Sequence, residues 1–253
     1  MSLDSSVTML SPAVGAIFGA LTPLVAYRLS VPWGEPARAG CASCEAPLPA
    51  GPAGWLRFSA RCVSCGVRLG PSPWWTVPVG AVSAGLTAAA LSGQGWVLAA
   101  ALLLSVAGVL LTAIDLAVRR LPDPIVWRLA VAVAALLALA AATGGGWAAY
   151  GRALGAGAAL LGVFGLMSLL TGGQLGLGDA KLAGVLGMPL GWFGWPLVVF
   201  GALLAVLLNG LVAVVLLALR RVGWRGSLPM GPSLLAGALL ALVVVGLLLP
   251  AAG

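Results

Sequence analysis

Eight stretches of the chain are apolar on every face, with short polar or basic segments between them. They run over Leu10–Leu29, Trp74–Leu91, Trp96–Ile114, Ile125–Thr143, Trp147–Leu170, Lys181–Gly194, Trp195–Leu219 and Pro232–Leu249. A bilayer-spanning helix needs about 20 apolar residues at about 1.5 Å of rise each. Barrel strands would alternate polar and apolar positions, and these runs do not. The pattern predicts an all-α membrane protein, a polytopic bundle of about eight transmembrane helices. The sixth run is short and is broken by Pro189, which leaves its boundary with the seventh open. The first run has no basic segment before it, unlike a cleaved signal peptide, and reads as a retained anchor.

Composition agrees. Of 253 residues, 61% are hydrophobic and only 8% are charged. A soluble domain carries about 25% charged residues, so this chain cannot coat a water-soluble surface. Net charge is +7. Placing the N-terminus outside puts twelve of the thirteen basic residues on the inner side and leaves only Arg152 outside. That asymmetry predicts orientation, with the lipid bilayer as partner and no nucleic acid. Trp74, Trp96, Trp147 and Trp195 fall near run ends, where interfacial tryptophans gather.

The only long polar stretch lies between the first two runs. It divides the chain into an N-terminal helix (1–29), a cytoplasmic loop domain (30–73) and a seven-helix membrane domain (74–253). The loop is too short and too poor in core residues to fold on apolar burial alone. Its staple is Cys41-Ala-Ser-Cys44, seventeen residues, then Cys62-Val-Ser-Cys65. Two such turns facing each other supply four sulfurs for a tetrahedral Zn²⁺, with no open position for water. Gly66 suits the turn after the second pair. Disulfides are the alternative, but they are rare in the compartment this orientation implies.

Histidine is absent, which excludes Ser-His-Asp and Cys-His catalysis and His-ligated metals. The acids are Asp4, Glu35, Glu45, Asp115, Asp123 and Asp179, and Lys181 is the only lysine. Asp123 precedes Pro124 and reads as a helix N-cap with proline at the first helical position. Asp179 could likewise cap the sixth helix. Asp115 ends the third run, where the helix dipole disfavours an anion, and Arg119 or Arg120 could pair with it. Gly176 and Gly178 precede Asp179 within a glycine-rich run, and allow close approach of a neighbouring helix or an extended peptide. Asp115 and Asp179 together suggest a carboxylate dyad. One holds a proton while the other accepts one from water, so that water attacks an amide carbonyl without histidine or metal.

These residues resemble the type IV prepilin peptidase family, the bifunctional leader peptidase/N-methyltransferases among GxGD-type membrane aspartyl proteases. Tyr27-Arg28-Leu29 is similar to the family's opening motif, and the paired CxxC loop follows it. Ile114-Asp115 with Leu121-Pro122-Asp123 is similar to its ID…LPD element. Gly176-Leu177-Gly178-Asp179-Ala180-Lys181 resembles GxGDxK, and Pro229-Met230-Gly231-Pro232 resembles a late P-x-GP element. The resemblance implies catalysis by Asp115 and Asp179. It implies cleavage of a prepilin or pseudopilin leader after glycine, on the cytoplasmic side of a bacterial inner membrane, in the service of pilus or secretion machinery. It also implies N-methylation of the new terminus with S-adenosylmethionine. The segment Gly70–Pro78 lacks the acidic residue that follows the cysteines in bifunctional members, which separates methylation from proteolysis. A proton- or ion-coupled transporter using Asp115 and Asp179 is the alternative function, and a scaffold whose zinc loop binds a partner is a third.

Overall fold

The computed structural model describes residues 3–32, 34–171, 176–221 and 228–248. The helices are α1 (Leu3–Leu29), α2 (Pro52–Trp55), α3 (Pro73–Ala90), α4 (Trp96–Val118) and α5 (Asp123–Gly144), followed by α6 (Trp147–Leu170), α7 (Leu177–Phe193), α8 (Trp195–Ala218) and α9 (Gly231–Leu248). Each of the eight apolar runs is a helix; α2 is a single turn inside the polar loop. By length and composition α1, α4, α5, α6 and α8 are sufficient to cross a membrane. The other three long helices have 17 or 18 residues. At about 1.5 Å per residue they reach roughly 26 Å, a little short of a bilayer core.

The shortness of α7 follows from its position. Buried residues occur on all its sides: Leu182, Val185, Leu186, Leu190 and the small residues between them. A helix enclosed by protein need not match the bilayer thickness. By contrast α8 fully buries only Leu197, Val198, Gly201 and Ala205, and many of its large apolar side chains are exposed. Hydrophobicity all round is shared by both helices, and only packing distinguishes them.

Pro189 does not end the sixth run. It lies inside α7, which continues to Phe193. The break comes at Gly194, whose φ of 143° closes one helix just ahead of Pro196 at the start of the next. Arg152, the lone basic residue assigned to the far side, caps this end. Its Nε donates to the carbonyl of Gly191 at 2.8 Å and its Nη2 to that of Trp192 at 2.5 Å. A guanidinium at a helix C-terminus satisfies free carbonyls and faces the negative end of the dipole.

Close backbone approach joins α1 to α3. A Cβ on Gly15 would meet the backbone of Gly80, the small-residue packing expected where helices associate without a hydrophobic drive. Gly151 and Gly155, a similarly spaced pair on α6, have no atom of the described residues within 4 Å of their would-be Cβ positions. The main core runs through α3 to α9. A smaller cluster couples the polar loop to the end of α1: Cys41, Ala60, Cys62 and Leu69 pack on Leu24 and Tyr27. The loop borrows its core from the membrane helix that precedes it.

Candidate active site and cysteine centre

Five ends of sequence converge on one side of the bundle. The last turn of α4 carries Asp115, and the α4–α5 connection carries Leu121. Asp123 opens α5, the first turn of α7 carries Gly178 and Asp179, and Gly231 opens α9. Asp115, Asp123, Asp179 and Lys181 line a single cavity of about 280 Å³, with Arg119, Arg120, Gly176 and Gly178 beside them.

Asp115 is only 2% exposed. Its Oδ2 accepts a hydrogen bond of 3.0 Å from the backbone N–H of Gly231. That amide belongs to the first turn of α9, so the positive end of one helix dipole offsets the negative end of α4 around the same carboxylate. Nothing in the sequence assigns a role to Gly231, which stands in Pro229-Met230-Gly231-Pro232. A Cβ added there would sit 2.7 Å from Oδ2 of Asp115. Glycine is required by contact, not by dihedral angle. Arg120 turns from the carboxylates to the carbonyl of Val31 at 3.4 Å.

Asp179 does not cap α7. The N-cap is Gly176, and Asp179 stands three positions later in the first turn. Its carboxylate accepts from the Gly176 amide, the return half of a capping box. The neighbour that Gly178 admits is Leu121, whose Cβ would lie 3.2 Å from a Cβ on Gly178. The glycine therefore seats α7 directly on the connection between α4 and α5. The preceding residues 172–175, the rest of the glycine-rich run, fall outside the described residues.

Asp123 is not an N-cap either. Helix α5 begins with it, and the carbonyl of Pro122 takes the amides of Ile125 at 3.0 Å and Val126 at 3.2 Å. Those are the donors a cap at Asp123 would need. Its carboxylate instead accepts from Lys181 Nζ at 2.7 Å. The only lysine of a membrane chain calls for a partner, and that demand was the available clue. The residues lie 58 positions apart, so spacing could not name the partner.

The four cysteines meet in a separate centre. Cys41 Sγ lies 3.8 Å from Cys65 Sγ, Cys44 Sγ lies 3.6 Å from Cys62 Sγ, and all four sulfurs fall within 4.8 Å of one another. Tetrahedral Zn–S bonds of about 2.3 Å put sulfurs roughly 3.8 Å apart, so the donor set fits that ion. The two knuckles are built alike. The Cys41 amide donates to Ala46 and the Cys62 amide to Val67, each at 2.9 Å, while Glu45 and Gly66 return to the carbonyls of Cys41 and Cys62. Both turn residues are left-handed, with φ of 58° at Glu45 and 69° at Gly66. Backbone amides of Cys65 and Ser64 hold the Cys62 thiol down to about 6. Amides of Ser43 and Cys44 lower Cys41 likewise.

The end of α1 clamps this centre. Arg28, 5% exposed, donates to the carbonyls of Pro49 at 2.7 Å and Gly54 at 3.1 Å, with its guanidinium 4.8 Å from the Trp55 ring. The Tyr27 hydroxyl donates to Gly40 at 3.2 Å and accepts from the Ala42 amide at 2.8 Å. The opening motif thus holds the first cysteine knuckle on the membrane helix.

Residues 101–214, from α4 through most of α8, match the type IV leader peptidase family. Over 221 residues the chain is 33% identical to a prepilin leader peptidase/N-methyltransferase of Aeromonas salmonicida, covering 82% of this chain and 70% of that protein. A protein of the same name from Aeromonas hydrophila is 31% identical over 219 residues, with the same coverage. The chain belongs to the type IV leader peptidase family. No solved structure matches it. Of the elements that resemble that family's motifs, this chain brings four to one cavity: Asp115, the Leu121–Asp123 element, the Gly176–Lys181 element and, through its hydrogen bond to Asp115, Gly231. The paired cysteines form the distinct centre at the end of α1.

Proposed function

We propose that this chain is a membrane aspartyl endopeptidase that removes the leader of prepilin-like precursors, with Asp115 and Asp179 as its catalytic pair. The observation that carries the reading is the shared cavity: two carboxylates 64 positions apart in sequence open onto one space at one end of the bundle. Family membership supplies the substrate class, and the names of the Aeromonas relatives agree with it.

The chemistry uses only the two acids. One carboxylate takes a proton from water as the water oxygen bonds to the scissile carbonyl carbon. The protonated partner donates to the carbonyl oxygen. Collapse then breaks the C–N bond: the leaving amine takes the proton the first carboxylate drew from water, a hydroxyl proton of the tetrahedral intermediate returns to the second carboxylate, and the pair is back in its starting state. The Gly231 amide fixes Oδ2 of Asp115, which keeps that carboxylate in position through both steps. Lys181 and Asp123 position the first turns of α7 and α5 against each other. A transporter reading fits less well, because the acids stand in the end turns of their helices and not near mid-span.

The cysteine centre is proposed to hold a structural Zn²⁺ that staples residues 30–73, with all four coordination positions filled by thiolate. The N-terminus is placed outside, and the cysteine loop and both catalytic acids on the cytoplasmic side of a bacterial inner membrane, from the distribution of arginine. N-methylation with S-adenosylmethionine is the second proposed activity, supported by the relatives' names alone.

Co-expression with a pilin-type precursor tests the proposal. The expected product is a shortened precursor whose new N-terminus follows a glycine. The mass of that terminus reads methylation. An intact precursor in the presence of membrane-inserted enzyme would refute the peptidase reading.

A further inference from the structure

A groove of about 630 Å³ lies where the second cysteine knuckle meets the first turns of α3. That volume is in the range of small-ligand sites, about 300–1,000 Å³. Val77 and Pro78 form its helix wall, Arg61 and Arg68 stand on the loop wall, and Phe58 and Trp74 line it from the two sides. Phe58 is 66% exposed and Trp74 86%. The helix wall continues past the groove. Trp74, Pro78, Val82 and Leu86 are all exposed and four positions apart, so they form one apolar face of α3 about 18 Å long. Trp74 opens an apolar run, the depth at which tryptophan marks the bilayer interface. The groove therefore faces the headgroup layer, and its extension faces the hydrocarbon.

The two arginines are opposed. Arg61 and Arg68 face each other across an antiparallel bridge, and like charges directly opposite destabilise such a pair. Among the described residues neither forms an ion pair with a carboxylate. Arg61 Nη1 donates to the carbonyl of Gly66 at 3.1 Å, and Arg68 Nη1 to Ser72 Oγ at 3.2 Å. The knuckle itself does not ask for charge here: the matching bridge of the first knuckle joins Gly40 to Pro47. An anion between the two guanidiniums turns their repulsion into attraction. Each is exposed and carries five N–H donors in a fork that suits phosphate oxygens.

We propose that this groove is a binding site for an anionic phospholipid. The phosphate sits between Arg61 and Arg68, the glycerol against Phe58 and Trp74, and an acyl chain along Pro78, Val82 and Leu86. Paired arginines beside a membrane span are the chemistry that selects anionic headgroups. The exposed apolar track that leaves the groove decides the source of the phosphate, since a soluble anion or an acidic peptide has no use for it. The site ties the second knuckle to the bilayer, as Tyr27 and Arg28 tie the first to α1. It is separate from the carboxylate cavity and independent of the peptidase reading.

The test uses the full chain reconstituted in vesicles of equal parts phosphatidylglycerol and phosphatidylcholine, with retained lipid read by native mass spectrometry. Wild type should retain phosphatidylglycerol over phosphatidylcholine by about thirtyfold, the ratio for roughly 1 kcal/mol from each arginine. Arg61→Ala with Arg68→Ala should bring that ratio near one, and Arg61→Lys with Arg68→Lys should keep most of it. Ser59→Glu guards against a folding defect in the alanine pair. Ser59 is an exposed loop residue in the groove wall, and a carboxylate there competes for both arginines while leaving them in place. It should lower the ratio about tenfold. Equal retention of the two lipids by wild type would overturn the site, and so would an unchanged ratio in Ser59→Glu. Displacement of the lipid by inorganic phosphate would assign the arginines to a soluble anion, and displacement by tetraglutamate to an acidic peptide; either result defeats the lipid site.

Discussion

Gly231 makes the strictest demand of any single residue outside the acids. A methyl group there would press within 2.7 Å of the Asp115 carboxylate and displace the amide that holds it. Gly231→Ala should therefore lower kcat/KM by roughly ten- to hundredfold, the equivalent of about 1.4–3 kcal/mol, at unchanged protein level in a precursor-cleavage assay. Lys181→Met removes a partner without adding bulk. Its pair with Asp123 is partly exposed, at 25% and 47% of the two side chains, so stability should change by no more than about 1 kcal/mol. Activity should fall further than stability if the pair positions α7; equal small losses in both would assign it to the surface alone. Asp123 also marks how far the sequence could be read. An Asp-Pro step looks the same whether the acid caps a helix or faces a lysine 58 positions on, because the competing partner is fixed by tertiary contact. The acids at issue could be named from sequence by elimination, but the Gly231 amide could not, since a backbone donor has no side-chain signature.

The cysteine knuckles are the element whose architecture the spacing foretold most fully. Two CxxC turns with similar flanking hydrogen bonds follow from local sequence, and the meeting of four sulfurs follows from the seventeen-residue separation. Their dependence on α1 was not legible, because nothing in Tyr27-Arg28 says which loop those side chains will grip. Purified protein should contain about one Zn per chain under reducing conditions, and Cys44→Ala should lose it, read by metal analysis. The same variant should expose residues 30–73 to proteolysis while the membrane helices stay intact, since their core lies elsewhere. Retained zinc stoichiometry in Cys44→Ala would refute a four-thiolate site. Among the helices, number and type were legible because apolar runs of this length have few other solutions. The central place of α7 and the peripheral one of α8 were not, since both are apolar all round, and whether a face meets protein or lipid is decided by packing.

The whole molecule is an arrangement that brings one end of α4, α5, α7 and α9 together and closes α7 inside the others. The proposed orientation puts that end and the cysteine loop in the cytoplasm. Trypsin should then cut at Arg57, Arg61 or Arg68 in inside-out vesicles and spare them in intact spheroplasts; cutting from the outer side alone would invert the topology. Burial of Asp115 and half-burial of Asp179 in one cavity is the feature on which the proposed activity stands. The most direct measurement is cleavage of a pilin-type precursor by Asp115→Asn and Asp179→Asn, each alone, at matched membrane levels. Each should lose cleavage by about 10³-fold or more, as removal of one member of a unit that acts together does. Near-normal cleavage by either variant would contradict a catalytic pair.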